Sequence, residues 1–342
     1  MEGWISARRA VRRIGVHGVI LSLKSSIYEL LFKRPTRFYA THVLKDKPAD
    51  WIMRALCAPH FWKKHGYWPH FVRPRSYSEK IWNRMLFDRD PQWTVLSDKL
   101  RMRDYVAAKI GEQYLIPLLW TGKKPEDIPF EQLPEKFVIK ATHGCSYNII
   151  VRDKRELDER QIHAQLNKWL AQNYCEESLL GTEWGYKHVQ PAIMIEAFLD
   201  SNNGNLVDYK FRTFSGKVEF FVAHFERHGD HSMSLMCDCT GEPIQCELGH
   251  KYRGVFVPPA NLPHMVEVAE RLGSEFDFMR VDLYSLEDKV YFGELTPYPG
   301  AGCIRFVPRK YDFYFGSKWE IQPPWVNRKE ISYRRSELAK NR

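Results

Sequence analysis

Residues 279–302 read MRVDLYSLEDKVYFGELTPYPGAG, and this stretch decides the predicted fold. It predicts two short strands, 280–284 and 290–295, joined by a polar turn. A rigid Thr-Pro-Tyr-Pro-Gly segment follows the second strand. A hairpin of this kind belongs to an antiparallel sheet, and the charged residues in it indicate that one face is more than structural.

Three charged side chains of this hairpin are placed on one face. Side chains alternate along a strand, so Arg280 and Asp282 share a face, and strand pairing can bring Glu294 to it. Two carboxylates beside an arginine suit a cation that holds a phosphate, because Mg²⁺ is bound by one or two carboxylates together with phosphate oxygens and water. The alternative is a surface hairpin with a solvated Arg–Asp pair.

A second hairpin is predicted at residues 137–151, FVIKATHGCSYNIIV, where an apolar strand ends in Lys140. A lysine ammonium supplies a point charge and loop amides supply donors, so this hairpin suits a polyphosphate. No GxxxxGK[ST] motif is present, and an ordinary hairpin whose lysine extends to water is the alternative. The candidate binding residues of its loop are His143, Gly144, Ser146 and Asn148.

A carboxylate interrupts the apolar strand AIMIEAFL, residues 192–199. Glu196 must find hydrogen-bond donors there or shift its pKa. The edge of an adenine or ribose would supply donors, and an internal lysine or arginine is the alternative partner.

Charged residues also alternate in DYKFRTFSGKVEF, residues 208–220. Asp208, Lys210 and Arg212 fall on one face of a predicted strand. They would form either a phosphate clamp or a ladder of charges across neighbouring strands.

Eight segments in this order resemble the TupA-like branch of the ATP-grasp superfamily, which is associated with teichuronic acid and other surface polysaccharide synthesis. The resemblance covers roughly residues 61–316. Each segment alone is a weak signal. The segments are SYSEKIWNRMLFDRDP, SDKLRMRDYV, IGEQYLIPLL, LPEKFVIKATHG, EWGYKHVQPAIMIEAFL, DYKFRTFSGKVEF, MRVDLYSLEDKVYFGELTPYPGAG and YDFYFG.

The resemblance implies an α+β ATP-grasp fold, in which two α+β subdomains clasp a nucleotide, with a helical N-terminal region. It implies ATP and Mg²⁺ as cofactors. By matching position, Lys99 and Lys140 resemble the phosphate-contacting lysines, and Glu196 and Leu199 resemble the hinge that holds adenine. The loop after Lys140 would then lie against the phosphates.

The resemblance also assigns catalytic and metal residues. Arg280 resembles the arginine that stabilises the transferring phosphate or the tetrahedral intermediate. Asp282 and Glu294 resemble the magnesium ligands. Lys210 and Arg212 occupy a strand that faces the phosphates or the acceptor in related ligases.

Three positions depart from the family pattern. Thr296 stands where many ATP-grasp enzymes have Asn, and its hydroxyl can ligate Mg²⁺ directly or through water. The loop 143–148 reads HGCSYN where the branch has a glycine-rich sequence, so Cys145 and Tyr147 add bulk near the phosphates. Ala197 stands where a second Glu is common.

The function implied is an ATP- and Mg²⁺-dependent ligase that forms an acyl phosphate, which an amine or another nucleophile then displaces. The implied acceptor is a sugar or glycan carboxylate, or an amino acid added to a glycan. The alternatives are a glycan phosphotransferase and a non-catalytic assembly factor that binds nucleotide or glycan.

Charge is concentrated at the N-terminus. Net charge is +9 over 342 residues, and residues 1–50 hold ten Lys or Arg against four Asp or Glu, a net of +6. Arg8, Arg9, Arg12 and Arg13 alternate with apolar residues at helical spacing, which predicts a helix on an anionic membrane surface or one docked on its own protein. No nucleic-acid-binding signature is present, so no nucleic-acid partner is expected.

The seven cysteines do not form a disulfide framework, because their number is odd and their spacing is irregular. We expect reduced thiols and a cytoplasmic protein, either free or bound peripherally at the inner face of the membrane. A zinc site is a weaker hypothesis for the His and Cys residues at 224–250: His224, His228, His231, Cys237, Cys239, Cys246 and His250.

The chain is predicted to divide into five parts. They are a basic extension (1–50), a helical subdomain (51–113), an ATP-grasp lid (114–200), a metal-binding and catalytic subdomain (201–318) and a charged tail (319–342). Helices are predicted after Ser76 and Asp98, and the chain is expected to fray after Phe315.

Overall fold

The computed structural model describes residues 28–178, 180–201, 206–225, 233–252 and 254–321. The chain is α+β, as predicted, with helices ahead of two mainly antiparallel sheets. The α-helices are α1 (Arg34–Phe38), α2 (Trp51–His65), α3 (Tyr77–Phe87), α4 (Gln92–Ser97), α5 (Lys99–Ile110), α6 (Glu159–Leu170), α7 (Tyr174–Glu177), α8 (Leu262–Gly273) and α9 (Lys310–Lys318). The strands are β1 (Leu118–Gly122), β2 (Phe137–Ala141), β3 (Asn148–Val151), β4 (Ile193–Ala197), β5 (Asp208–Phe214), β6 (Lys217–Phe225), β7 (Met233–Cys237), β8 (His250–Lys251), β9 (Phe278–Leu286) and β10 (Lys289–Thr296).

Side-chain caps fix the starts of the N-terminal helices. Ser76 and Glu79 form a capping box at the start of α3, in which each side chain accepts from the other residue's backbone N–H. The Asp98 carboxylate accepts from two backbone N–H groups in the first turn of α5, and Gly111 follows the end of that helix. Both predicted helix starts are confirmed.

The smaller sheet has the strand order β1-β4-β2-β3 and is antiparallel throughout. Its β2–β3 hairpin is the one predicted at 137–151. Ile139 of β2, Ile195 of β4 and Leu166 of α6 are fully buried in one apolar cluster. The hairpin, the strand that carries Glu196 and helix α6 thus form one packed unit.

The larger sheet has the order β10-β9-β5-β6-β7-β8, and only the short β7–β8 pair is parallel. Helix α8 packs on one face of it. Val268 and Leu272 of α8 are fully buried with Phe211 of β5 and Val281 of β9. The opposite faces of β5 and β9 carry the charged residues that the sequence placed together.

One extra residue interrupts the pairing of β9 with β10. Unbroken pairing from the turn would set Glu294 opposite Val281, a core residue, but Glu294 lies opposite Asp282. Gly293 is the additional residue of this β-bulge. A Cβ at Gly293 would lie 3.0 Å from the Tyr284 ring and 3.2 Å from the Asp282 carbonyl oxygen, so the bulge favours glycine.

The C-terminal part of the fold is more ordered than the sequence indicates. Trp319 is fully buried, stacks on Phe278 at 4.4 Å and donates to Asp277 at 2.9 Å. The prediction that the chain frays after Phe315 is therefore wrong as far as Trp319, because an indole in the core holds the segment. Residues 322–342 lie outside the described residues.

Two other predictions fall partly or wholly outside the described residues. The predicted basic helix that carries Arg8, Arg9, Arg12 and Arg13, and the zinc candidates His228 and His231, are not among the described residues. Within the part of the chain that is described, no three His, Cys, Asp or Glu side chains converge on a possible metal position. In the same part, none of the helices has the length and apolar character needed to cross a bilayer.

Candidate active site

A cleft of about 670 Å³ lies between the two sheets, beside the N-terminus of α5. Its volume is in the range of small-molecule and cofactor sites. Eight of the fourteen residues predicted for the site line it: Lys99, Lys140, Ser146, Asn148, Glu196, Leu199, Asp282 and Glu294. The other six do not: His143, Gly144, Lys210, Arg212, Arg280 and Thr296.

Strand register arranges the charged residues of the larger sheet in two rows across β5, β9 and β10. The carboxylate row consists of Lys210, Asp282 and Glu294, which lie directly opposite one another. The arginine row is the next one along the strands and consists of Arg212, Arg280 and Thr296. The predicted common face of Asp208, Lys210 and Arg212 is thus part of a cross-strand ladder of charges.

The Asp282 carboxylate is held by two cations. Arg280 Nε donates to its Oδ1 and Arg280 Nη2 to its Oδ2, each at 2.7 Å, and Lys210 Nζ also donates to Oδ2. Lys210 Nζ also lies 2.8 Å from Asp208 Oδ2. Burial alone would raise the pKa of Asp282, but the charges of Arg280 and Lys210 outweigh burial and hold this pKa well below its usual range.

The two carboxylates of this row fit a magnesium ion. Arg280 Nη2, which donates to Asp282, also lies 3.2 Å from Glu294 Oε2, so both carboxylates reach one cationic group. Carboxylate oxygens in this number, completed by phosphate oxygens and water, are the usual ligands of Mg²⁺. Thr296 lies opposite Arg280 in the arginine row, and its role as a third ligand stays a prediction.

Glu196 is buried in β4 and is neutralised from two sides. Its Oε1 accepts from Arg103 at 2.6 Å and its Oε2 from Lys140 at 2.5 Å. Glu196 therefore pairs with an internal arginine and an internal lysine, as the alternative from the sequence held. Its contact with adenine stays a prediction. Sequence reasoning missed Arg103, although it lies one helical turn after Lys99 on α5 and so on the same face.

The loop between β2 and β3 approaches the start of α5. Lys99 Nζ donates to the carbonyl oxygen of Gly144, and burial lowers the pKa of Lys99. The bulky Tyr147 stacks on Trp169 of α6 with ring centroids 5.1 Å apart, while its edge still lines the cleft. The departure from a glycine-rich sequence is thus partly accommodated by packing against α6.

His143 points away from the cleft. It is buried, and its Nε2 lies 2.8 Å from the carbonyl oxygen of Trp169. Burial lowers its pKa, so a neutral ring is favoured. The position is structural in this conformation, unlike Ser146 and Asn148 of the same loop, which line the cleft.

Apolar side chains and Arg152 line part of the hinge end of the cleft, together with Asp200 and Ser201. Phe198 and Leu199 line it next to Glu196, and the Arg152 guanidinium lies 5.3 Å from the centroid of the Phe198 ring. Tyr284 lines the same cleft from the larger sheet. Flat apolar walls with an exposed strand end suit a base, and neither Phe198 nor Arg152 was identified from the sequence.

Comparison with protein-family models finds a match over most of the chain. The model described as TupA-like ATPgrasp matches residues 79–320, which include both rows and both lysines. A search of curated protein sequences finds no match.

Three solved structures that are similar to this chain are ligases, and each has a low sequence identity to it. D-alanine–D-alanine ligase from Bacillus anthracis, complexed with ATP, has a TM-score of 0.35 and 16% identity, over 60% of this chain and 55% of that one. The same enzyme from Helicobacter pylori has a TM-score of 0.35 and 15% sequence identity, and the match covers 65% of this chain and 59% of that one. Phosphoribosylamine–glycine ligase from Thermotoga maritima has a TM-score of 0.37 and 15% sequence identity, and the match covers 63% of this chain and 49% of that one. The chain thus spans little more than half the length of the first of these structures.

Proposed function

This chain belongs to the TupA-like ATP-grasp family, and on that basis we propose that it is an ATP- and Mg²⁺-dependent ligase. The carboxylate row supports the proposal most directly. Asp282 and Glu294 of the larger sheet line the same cleft as Lys140 of the smaller sheet and Lys99 of α5. Two acids and two lysines across one cleft suit a polyphosphate with its magnesium ion.

The nucleotide would lie with its base at the hinge and its phosphates toward Asp282. Lys99 and Lys140 would contact phosphates, and Glu196 and Leu199 would hold the base. Lys140 can leave Glu196 for a phosphate without stranding a buried carboxylate, because Arg103 stays bound to Glu196. Ser146 and Asn148 would supply loop donors.

The reaction proposed is transfer of the γ-phosphoryl group of ATP to a carboxylate, which gives an acyl phosphate and ADP, followed by attack of an amine, which displaces inorganic phosphate. Bound Mg²⁺ would neutralise phosphate charge beside Asp282 and Glu294. Arg280 would stabilise the charge that develops on the transferring phosphate, and Lys210 would keep Asp282 ionised. Positioning and electrostatics would supply most of the acceleration, since no protein nucleophile is required.

The acceptor we propose is a sugar or glycan carboxylate in surface polysaccharide synthesis, at the cytoplasmic side of the cell envelope. Family membership supports this substrate class. A non-catalytic assembly factor is the rival function, and the bulky loop residues Cys145 and Tyr147 favour it. A glycan phosphotransferase would use the same site without releasing free phosphate.

The test of nucleotide binding is calorimetric titration of Mg-ATP into the wild type, Lys140→Ala and Lys217→Ala. Lys217 is an exposed lysine of the larger sheet that pairs with Glu270, so its variant controls for loss of charge. We expect binding by the wild type and Lys217→Ala, and loss of binding by Lys140→Ala. A folded wild type that does not bind Mg-ATP would refute the ligase and favour the assembly factor.

We also propose contact with an anionic membrane, and the N-terminal helices support it. Residues 28–75 hold ten Lys or Arg against three Asp or Glu, a net of +7. Trp51, Ala55 and Trp62 share an exposed face of α2, with Trp51 70% exposed, and exposed Trp68 stacks on Trp62. Exposed tryptophan beside basic residues is typical of membrane interfaces.

Co-sedimentation with vesicles tests this contact. Full-length protein should sediment with phosphatidylcholine vesicles that contain phosphatidylglycerol, and much less with pure phosphatidylcholine. The double substitution Trp51→Ser and Trp62→Ser should reduce sedimentation, whereas Tyr314→Ser, at an exposed aromatic of α9, should not. Equal sedimentation of all variants, or none by the wild type, would favour helices that dock on protein instead.

A further inference from the structure

One carboxylate near the cleft is buried without a cation. Glu183 lies directly before a 3₁₀ turn, Trp184–Tyr186, and is 7% exposed. No described residue donates a hydrogen bond to its carboxylate or forms an ion pair with it, and the charge that acts on it is that of another acid, Glu294. Burial and this charge raise the pKa of Glu183 to about 8. An acid in this position calls for a ligand that brings the missing positive charge.

The turn after Glu183 is held by backbone packing. Gly185 lies against α4, where a Cβ would come within 2.7 Å of Ser97 Oγ and 3.0 Å of the Trp93 carbonyl oxygen. The backbone N–H of Tyr186 donates to the carbonyl oxygen of Glu183 at 3.1 Å. The main chain therefore fixes the position of Glu183 without any partner for its side chain.

Two tyrosines lie beside this acid. The rings of Tyr174 and Tyr186 pack edge to face with their centroids 4.7 Å apart. Tyr186 is 5% exposed, and burial together with the charges of Glu294 and Glu183 raises the pKa of its hydroxyl. The charge of Glu183 acts in the same way on Tyr174, after the larger effect of burial. Two carboxylates and two tyrosines are thus gathered in one small region.

This region borders the cleft at its phosphate end. Glu294 and Cys145 line the cleft, and the Cys145 thiol forms a hydrogen bond with the Tyr174 hydroxyl. Glu183, Tyr174 and Tyr186 do not line the cleft themselves but lie next to these two residues. A group held by them would stand beside the carboxylate row, where the proposed phosphoryl transfer takes place.

We propose that Glu183, Tyr174 and Tyr186 form a subsite for an ammonium group, the amine of the second substrate. The Glu183 carboxylate supplies the opposite charge, the Tyr186 hydroxyl supplies a further acceptor, and tyrosine rings attract cations. This inference rests on the proposed ligase function and deepens it. It selects an amine among the possible nucleophiles and assigns where that amine is held.

A second Mg²⁺ ion is the other cation that Glu183 and Glu294 could hold. The ammonium is favoured because Mg²⁺ keeps several waters, and a carboxylate that is 7% exposed leaves little room for them. Within the described part of the chain, moreover, no three His, Cys, Asp or Glu side chains converge on a metal position. The two occupants can be separated, since Glu183→Gln would alter the Mg²⁺ dependence of ATP binding in one case only.

The experiment uses ethylammonium chloride as the probe. The melting temperature of full-length protein is measured in this salt and, at equal ionic strength, in sodium chloride and in tetramethylammonium chloride, which has the charge but no N–H donor. Each measurement is made with and without saturating Mg-ADP. We expect ethylammonium to raise the melting temperature of the wild type above that in the other salts, by about 1 °C or more at about 0.1 M.

Matched variants assign the effect to the subsite. Glu183→Gln should abolish the ethylammonium shift, whereas Glu177→Gln, at an exposed acid of α7, should keep it. Tyr186→Phe keeps the buried ring and removes the hydroxyl, so it should weaken ethylammonium binding about fivefold. Without ethylammonium, Glu183→Gln should not lower the melting temperature, because it removes a buried charge that has no partner.

Other results would overturn the subsite. An equal shift in all three salts would do so, as would a shift that persists in Glu183→Gln. A lower melting temperature of Glu183→Gln with an unchanged response of Tyr186→Phe would assign Glu183 a purely structural role. If Glu183→Gln raised the Mg²⁺ requirement for ATP binding about tenfold and ethylammonium had no effect, the position would hold a second Mg²⁺ ion. Failure of the wild type to bind Mg-ATP would instead refute the proposed function.

Discussion

Asp282 and Glu294 should behave differently when each loses its charge, although both are proposed magnesium ligands. Asp282 is 2% exposed and accepts from Arg280 twice and from Lys210 once. Asp282→Asn would remove the anion that Arg280 and Lys210 share and leave Lys210 with Asp208 and Arg280 with Glu294, which should cost roughly 3–5 kcal/mol. The Glu294 side chain is 23% exposed, and its Oε2 lies 3.2 Å from Arg280 Nη2. Glu294→Gln should therefore lower the free energy of unfolding by less than about 1 kcal/mol.

Thermal and urea unfolding of the two variants would measure this difference. For a chain of this size, with an unfolding entropy of about 0.7 kcal/mol/K, Asp282→Asn should lower the melting temperature by about 4–7 °C, and Glu294→Gln by less than about 1.5 °C. Both should weaken Mg²⁺-dependent ATP binding in calorimetry by at least about tenfold. If Asp282→Asn were as stable as the wild type at pH 7, the ion-pair network would not be what holds this row.

The same ion pairs predict how stability depends on pH. The folded-state pKa of Asp282 is depressed below the unfolded value of about 3.9, so its contribution is fully present above about pH 4. That contribution is lost as pH falls toward the folded-state pKa. The stability difference between the wild type and Asp282→Asn should therefore shrink below about pH 4, and a constant difference down to pH 2 would contradict the assignment.

Two further substitutions separate binding from folding. Arg103→Met leaves Glu196 with Lys140 as its one cationic partner, so Lys140 should stay with Glu196 instead of moving to a phosphate. Calorimetry should then show Mg-ATP affinity reduced about tenfold or more. The control Lys109→Met, which removes one side of an ion pair with Glu275 at the surface of the same helix, should bind Mg-ATP normally. Trp319→Ala should lower the free energy of unfolding by about 3–5 kcal/mol because it empties a fully buried indole site, whereas Trp62→Ala at an exposed position should change it by less than about 0.5 kcal/mol in urea titrations.

Local patterns in the sequence predicted much of the fold. The capping signals at Ser76 and Asp98 act within one helical turn, so both helix starts were predictable. Alternation along β9 placed Arg280 and Asp282 on one face, because that depends on neighbouring residues alone. These elements are fixed by interactions between residues close together in the chain.

Long-range partners were not predictable in the same way. Arg103 reaches Glu196 across 93 residues, and nothing in the local sequence of either indicates the other. Trp319 looked like part of a polar tail, since its burial depends on Phe278 in a strand forty residues earlier. The position of Arg212 opposite Arg280 also depends on the register between strands β5 and β9.

The bulge at Gly293 decides which face of the sheet carries the Glu294 side chain. A strand has two faces, so each residue added or removed exchanges which side chains look inward and which look outward. If the bulge were lost and Gly293 paired regularly with Asp282, Glu294 would lie opposite Val281, which would carry an acid to the core face, and Leu295 would lie opposite Arg280. The bulge thus lets β10 hold one more residue than β9 between the turn and Glu294 while Glu294 keeps its place in the carboxylate row.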